Sequence, residues 1–260
     1  MTNPPIEASF RAKREAGRKL LVPYITGGLG DDWPRIIEAV AAAGADAIEV
    51  GIPFSDPVMD GPVIQESSTK ALAQGANPLA ILEELRSVDV DVPLITMGYY
   101  NTVFRFGDQR YAENLAEAGV SGAIVPDLSL EECGPWAEAA DGAGVETILL
   151  AAPTADDDRL SRVIDRARGF VYGVGVLGVT GERDALAASA TEIANRLKAL
   201  TDKPVLIGVG VSNPEQAAEI SQISDGVIVG SALVRRILEG AGPDGAGRFV
   251  ASLRAGLDGT

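Results

Sequence analysis

The chain has 260 residues, of which 46% are hydrophobic, and this length and composition favour one globular domain with a sizeable core. Its 22 basic and 37 acidic residues give a net charge of −15, which argues against binding to nucleic acid or to an anionic membrane surface. The sequence contains no histidine and one cysteine, Cys133, which excludes histidine-based catalytic triads, an internal disulfide and nearly all zinc sites.

Short apolar runs alternate with segments of helical periodicity along the chain. The runs that predict strands cover residues 20–26, 47–52, 93–98, 122–126, 147–151, 170–174, 205–209 and 226–229. The segments that predict helices cover residues 33–43, 78–88, 110–118, 130–143, 157–167, 190–200 and 214–221. Pro62 is expected to begin a further helix, and residues 232–238 to form a short one after the last strand.

Eight strands, each followed by a helical segment, predict an α/β fold, the (β/α)8 or TIM barrel, in a single domain covering residues 1–260. We expect residues 1 to about 18 to form an N-terminal helical extension. A doubly wound open sheet is the alternative that the alternation leaves open. No apolar stretch has the length of a signal-peptide core or a membrane span, and together with the lone cysteine this favours a cytoplasmic location.

Glu49 is the first candidate for chemistry, because it lies in the middle of the apolar strand predicted at residues 47–52. Burying a carboxylate costs free energy unless the group is paired, neutralised or used. Side chains alternate along a barrel strand, which puts Glu49 in the lumen near the strand's C-terminal end, where barrel enzymes place catalytic groups. The alternative is a structural glutamate paired with a buried arginine or hydroxyl.

The loop at residues 53–62 is long for a connection between a strand and a helix, and long loops of this kind are often functional. Its second acid, Asp60, has two interpretations. It is either the N-cap of the helix that begins at Pro62 or a carboxylate that accepts a hydrogen bond from a substrate N–H or O–H. Asp56 is better explained as a turn or interface residue than as a catalyst.

Glycine-bearing turns follow the seventh and eighth strands, at residues 208–210 and at Gly230-Ser231. In many barrels these two loops and the N-terminus of a short helix bind phosphate through backbone N–H groups. Ser231 is expected to be the cap of that helix or a direct phosphate ligand. The alternative is that the glycines merely permit tight turns.

Residues 173–178 read GVGVLG and match a dinucleotide-binding pattern, but no apolar-periodic helix opens directly after them. We interpret this sixth loop as a lid in which Thr180 closes over substrate. None of the lysines follows the C-terminal end of a predicted strand, which argues against a Schiff base. With a dinucleotide site and a Schiff base set aside, the chemistry that remains for this chain is acid–base catalysis by carboxylates on a phosphorylated substrate.

Several of these segments together resemble the tryptophan synthase α subunit family. They are LVPYITGG at 21–28, IEVGIPFSDPVMDGP at 48–62, GYYN at 98–101, IVPDL at 124–128, GVTG at 178–181, GVG at 208–210 and VGSALV at 229–234. The resemblance implies retro-aldol cleavage of indole-3-glycerol phosphate to indole and glyceraldehyde 3-phosphate in tryptophan biosynthesis. It also implies an α2β2 heterotetramer in which indole passes to a β subunit. That partner holds pyridoxal phosphate, whereas this chain needs no cofactor and no metal.

The resemblance further implies a role for individual residues. Glu49 matches the general acid–base, and Asp60 matches the carboxylate that stabilises the indole N–H as positive charge develops. The expected substrate-binding residues are Tyr172, Thr180, Gly181, Gly210, Gly230 and Ser231. The residues expected to face the β subunit are Asp56, Pro57, Asn101 and Ser129.

Four residues depart from the family pattern. Leu29-Gly30 replaces Asp-Pro after the first strand, Ser129 replaces a proline, and Gly175 replaces a serine. Other functions remain open at this point: a stand-alone indole-releasing lyase, a chiefly regulatory partner of a β subunit, or another phosphate-binding barrel. The retained Glu49 and Asp60 argue against a purely regulatory role.

Overall fold

The computed structural model describes residues 5–175 and 183–259, and its centre is a closed barrel of eight parallel strands. The strands are β1 (Leu20–Thr26), β2 (Ile48–Gly51), β3 (Leu94–Met97), β4 (Val120–Ile124), β5 (Glu146–Ala151), β6 (Val171–Val174), β7 (Val205–Gly208) and β8 (Gly226–Val229). Each strand pairs with the next along the chain, and β8 pairs with β1 to close the barrel. The TIM-barrel prediction is therefore confirmed, and the open-sheet alternative is wrong.

Helices surround the barrel. They are α1 (Ile6–Glu15), α2 (Trp33–Ala42), α3 (Pro62–Ala73), α4 (Pro78–Leu85), α5 (Tyr100–Phe106), α6 (Asp108–Glu117), α7 (Gly134–Ala143), α8 (Asp157–Arg166), α9 (Arg183–Leu200), α10 (Pro214–Ile223), α11 (Ser231–Leu238) and α12 (Gly242–Asp258). Of the helices in the described ranges, none is both long enough and apolar enough to cross a bilayer.

The predicted strands all form, with ends that differ by no more than two residues. Each predicted helical segment overlaps a helix, although α9 begins at Arg183 rather than at residue 190. Helices α5 and α12 were not predicted. Helix α5 has seven residues, too few for a periodic pattern. Helix α12 begins with the glycine-rich stretch at residues 242–247, which reads as a loop, but Phe249, Val250 and Leu253 are buried in the core.

The lumen is filled by side chains from alternate strand positions and is closed at the bottom by α1. The buried residues of this cluster are Ile6, Phe10, Leu20, Val22, Ala47, Ile95, Ile124, Ile148, Phe170, Leu206 and Ile228. Gly122 of β4 makes room for α1, because a Cβ at that position would overlap Ile6. The lumen is thus packed from below and leaves the C-terminal end of the strands for a site.

Charged groups on the bottom face hold the chain together rather than form a site. The Asp46 carboxylate, which is fully buried, pairs with Arg18 at 2.7 Å, Lys13 at 3.0 Å and Arg254 at 3.2 Å. It also accepts a hydrogen bond from the backbone N–H of Leu21 at 2.9 Å. This multiple pairing compensates the cost of burying the carboxylate and fixes α12 and the end of α1 against the barrel.

Candidate active site

Glu49 lies in the barrel lumen, as its strand position predicted. In β2 its neighbours Ile48 and Val50 belong to the core between strands and helices, whereas Ala47 belongs to the lumen cluster. Glu49 stands beside Tyr24 of β1 and Ile95 of β3 in the strand register, and only 1% of its surface is exposed. A carboxyl group is therefore held almost out of water on a rigid strand.

The electrostatics of Glu49 favour its protonated form. Burial, together with the smaller effect of the nearby Asp60 charge, raises the pKa of this carboxyl to about 8. The Oε2 atom is buried and has no hydrogen-bond partner among the described residues. In that part of the chain no arginine or lysine forms an ion pair with Glu49, so the interpretation as a glutamate paired with a buried arginine is wrong. The group is suited to donate a proton at neutral pH.

Asp60 lies in the loop between β2 and α3 and is half-buried. Helix α3 has Gly61, not Asp60, at its N-cap and no side-chain capping bond, so the interpretation of Asp60 as a helix cap is wrong. Burial raises the pKa of Asp60, while a hydrogen bond from the Tyr99 hydroxyl acts in the opposite direction. The structure thus brings the two predicted acids together with their charges coupled.

Three tyrosines surround the acids, of which the sequence analysis assigned a role to one. Tyr172 of β6 was predicted, and its pKa is raised well above the ordinary value by burial and by the charge of Glu49. Tyr24 of β1 was missed, although Leu20, Val22 and Tyr24 share one strand face and the first two lie in the lumen cluster. Burial and the charges of Asp60 and Glu49 raise the pKa of Tyr24.

Glycines in the barrel wall make room for two of these rings. A Cβ at Gly51 would overlap the hydroxyl of Tyr24, and a Cβ at Gly208 would lie 2.5 Å from the hydroxyl of Tyr172. Each ring therefore leans over a neighbouring strand at its C-terminal end, close to Glu49. Tyr99, which was also missed, follows β3 and stands at the N-cap of α5.

The two predicted phosphate loops lie at the ends of β7 and β8. Gly210 is exposed and has φ of +73°, a conformation that favours glycine. Gly230 is the N-cap of α11, and Ser231 is its first residue, so the expectation that Ser231 caps the helix is wrong. The first-turn N–H groups of an α-helix have no carbonyl partner within the helix and attract anions. The other two predicted ligands, Thr180 and Gly181, lie outside the described residues, as does the part of the predicted lid at residues 176–182.

The family model for the tryptophan synthase alpha chain matches residues 10–251. The chain belongs to this family. The alpha chain from Thermobifida fusca is 43% identical in an alignment 256 residues long, which covers 95% of this chain and 94% of the relative. The alpha chain from Halorhodospira halophila is 44% identical in an alignment 264 residues long, which covers 98% of this chain and 97% of the relative.

Solved structures agree with this assignment. An open form of tryptophan synthase from M. tuberculosis superposes with a TM-score of 0.88 at 34% identity and covers 99% of both chains. The alpha subunit of tryptophan synthase from Legionella pneumophila gives a TM-score of 0.87 at 31% identity and covers 98% of both. The predicted family membership is confirmed.

The positions that the tryptophan synthase resemblance assigns to a partner follow β2, β3 and β4, at the same end of the barrel as Glu49. Asp56 and Asn101 are exposed, whereas Pro57 and Ser129 are half-buried. The large apolar side chains exposed beside them are Val58, Met59 and Phe104.

This end of the barrel is also tied together by its own loops. The Asp127 carboxylate accepts a hydrogen bond from the N–H of Tyr100 at 2.8 Å and so holds the start of α5. Ser129, at the position where the family pattern has a proline, donates a hydrogen bond to the Glu132 carboxylate at 2.9 Å. Within the described ranges, no group of three or more acidic or cysteine side chains has a geometry that suits a metal ion.

Proposed function

We propose that Glu49 and Asp60 carry out the reaction of this chain. As a tryptophan synthase alpha chain it is a lyase that cleaves indole-3-glycerol phosphate to indole and glyceraldehyde 3-phosphate. The observation that carries the assignment is the buried carboxyl of Glu49, which has no cationic partner among the residues that the structure describes and a pKa of about 8. Such a group holds its proton at neutral pH and can give it to a carbon atom.

Cleavage needs two proton transfers at one face of the substrate. The Glu49 carboxyl protonates C3 of the indole ring, which gives an indolenine with positive charge at the ring nitrogen. The resulting Glu49 carboxylate then takes the proton of the hydroxyl on the adjacent glycerol carbon. The carbon–carbon bond breaks, its electron pair returns to the ring, and an aldehyde and indole leave.

Asp60 supports this sequence from the loop side. As a carboxylate it accepts the hydrogen bond of the ring N–H, and this bond strengthens when the nitrogen becomes positive. The ionised form is favoured by the Tyr99 hydroxyl, and the negative charge in turn helps Glu49 to keep its proton. One carboxyl thus acts as the acid while the other remains an anion.

We assign the phosphate of the substrate to the loops after β6, β7 and β8. Gly210, Gly230 and Ser231 supply backbone N–H groups, with the N-terminus of α11 behind them. Thr180 and Gly181 complete this set by resemblance to the family. Tyr172 lines the lumen between the phosphate end and Glu49.

The chain acts with a tryptophan synthase β subunit in an α2β2 heterotetramer. The surface of Asp56, Pro57, Asn101 and Ser129, with the exposed Val58, Met59 and Phe104, supports this assembly. Indole released in the lumen passes to the partner, which carries pyridoxal phosphate, and the alpha chain itself uses no cofactor. We place the complex in the cytoplasm, where a lone cysteine stays reduced.

The test is indole release from indole-3-glycerol phosphate by the purified chain, with and without a cognate β subunit. We expect slow release by the chain alone and much faster release in the complex. Rapid release that β does not change would indicate a stand-alone lyase. Stimulation of β by a chain that releases no indole would indicate a regulatory partner, and no effect in either assay would leave only a phosphate-binding barrel.

A further inference from the structure

The loop that carries Asp60 is held through its backbone. The exposed fractions of Val58 and Met59, which precede Asp60, are 77% and 51%, so burial of their side chains does little to fix the loop. On the other side, Pro62 begins α3 and has no backbone N–H to donate. The position of Asp60 therefore depends on the polar contacts of the peptide groups that flank it.

Gln65 makes one of these contacts. Its side-chain Nε2 donates a hydrogen bond to the backbone carbonyl of Asp60 at 2.8 Å, the distance of a well-formed bond. Gln65 lies near the start of α3 and reaches back past the N-cap residue Gly61, which has no side chain to cap the helix. The helix is thus joined directly to the peptide group that follows the Asp60 side chain.

The other contact lies on the side of Met59. The hydroxyl oxygen of Tyr99 accepts a hydrogen bond from the Met59 N–H at 3.0 Å, and the Tyr99 ring packs against Phe54 with 5.1 Å between the ring centroids. These contacts hold the part of the loop before Asp60 to the start of α5. The backbone of Asp60 is therefore held from both sides, with Gln65 on the side of α3.

Helix α3 is itself fixed to the barrel, which makes it a rigid support for Gln65. Ser67, two residues further on, is buried and shares a hydrogen bond of 2.7 Å with Thr26 at the end of β1. Ile64, the residue before Gln65, is buried in a cluster with Val234 of α11. A donor between these two anchors has a defined position relative to the lumen.

We propose that Gln65 is a positioning residue of the alpha reaction, which places the Asp60 carboxylate beside the substrate by holding the Asp60 backbone to α3. The inference rests on the proposed role of Asp60. A carboxylate that must face a ring N–H depends on a fixed backbone, because a misplacement of about 1 Å can cost much of the rate. Gln65 acts through the Asp60 carbonyl and is not itself a catalytic residue.

The test replaces Gln65 by methionine and measures indole release in the complex with a β subunit. Methionine has a similar length and helix propensity but donates no hydrogen bond. Loss of one hydrogen bond should lower kcat roughly three- to tenfold. We expect little change in KM, because the loops that we assign to the phosphate are intact. The matched control is Lys70→Met, which puts the same residue at an exposed position of the same helix and should leave kcat unchanged.

Gln65→Lys separates the missing donor from the changed shape of the side chain. The lysine ammonium can donate to the same carbonyl, so kcat should return toward the wild-type value. A lysine variant as slow as Gln65→Met would overturn the inference, because the loss would then not come from the donor.

Hydrogen exchange of the Met59 amide in the chain alone tests the position of the loop independently of turnover. In Gln65→Met the loop is released on one side, so this amide should exchange faster than in wild type and in Lys70→Met. Wild-type kcat and wild-type exchange in Gln65→Met would overturn the inference and leave the proposed function intact. If the wild-type complex releases no indole, the proposed function fails, and the exchange rate still decides whether Gln65 holds the loop.

Discussion

Replacing Glu49 by glutamine should make the folded chain more stable at alkaline pH while it removes the proposed acid. In the wild type the carboxyl has a pKa of about 8 when folded, compared with an ordinary value of 4.5. A folded pKa that is raised means that the folded chain binds the proton more tightly than the unfolded chain does. The contribution of this bound proton to the free energy of unfolding is therefore fully present below pH 4.5 and is lost as the pH rises through 8.

The size of this loss follows from the two pKa values. Each pKa unit corresponds to about 1.4 kcal/mol, so Glu49 should lower the free energy of unfolding by about 3 kcal/mol at pH 7 and about 5 kcal/mol at pH 9. Glutamine does not titrate, and its buried amide costs a pH-independent amount of about 1–3 kcal/mol. For a chain of 260 residues, 3 kcal/mol corresponds to about 5 °C in Tm.

The assay is urea unfolding of wild type and Glu49→Gln at pH 5, 7 and 9. Between pH 5 and pH 9 the free energy of unfolding of the wild type should fall by about 4 kcal/mol more than that of the variant. Glu38→Gln is a suitable control, because Glu38 lies exposed on α2 and its variant should follow the wild type. Parallel curves for wild type and Glu49→Gln would refute the reasoning, because Glu49 would then titrate normally in the folded chain.

Three further substitutions test other parts of the site and fold. Asp60→Asn should lower kcat roughly 10- to 100-fold, because the charged hydrogen-bond acceptor for the ring N–H is lost. It should also move the alkaline decline of indole release to lower pH, because the charge of Asp60 no longer raises the pKa of Glu49. An unchanged kcat and pH profile would contradict this role of Asp60. Gly51→Ala should cost about 1–3 kcal/mol in urea unfolding, because its Cβ overlaps the Tyr24 hydroxyl; wild-type stability would show that the ring moves freely. Asp46→Asn should cost about 3 kcal/mol or more by the same measurement, with unchanged kcat per folded molecule, because it leaves buried cations unpaired.

The sequence predicts the barrel well because its strands are short, apolar and separated by clear helix signals. Asn77 and Asn213, for example, cap α4 and α10 just before a proline, as the sequence suggests. Glu49 is also predictable, since an acid in an apolar strand has few alternatives to burial at a site. Alternation along β2 then determines that it points into the lumen.

What the sequence leaves out depends on contacts between distant segments. Tyr99 and Met59 are 40 residues apart, and nothing in either segment alone indicates that the phenol oxygen accepts a hydrogen bond from that backbone N–H. The capping interpretation of Asp60 was wrong because Gly61, whose backbone is extended, fills the N-cap position instead. Helix α12 forms although its first turns contain glycines that disfavour a helix. Burial of Phe249, Val250 and Leu253 in its second half stabilises it, and such tertiary packing overrides the low helix propensity of glycine.

The most direct test of the account is the kcat for indole release by Glu49→Gln in the complex with a β subunit, compared with wild type. We expect that the variant, folded as its urea curve shows, releases almost no indole, because glutamine cannot give the proton that we assign to the Glu49 carboxyl. Turnover near the wild-type rate would contradict it, and Glu49 would then be a buried carboxyl without a part in the reaction.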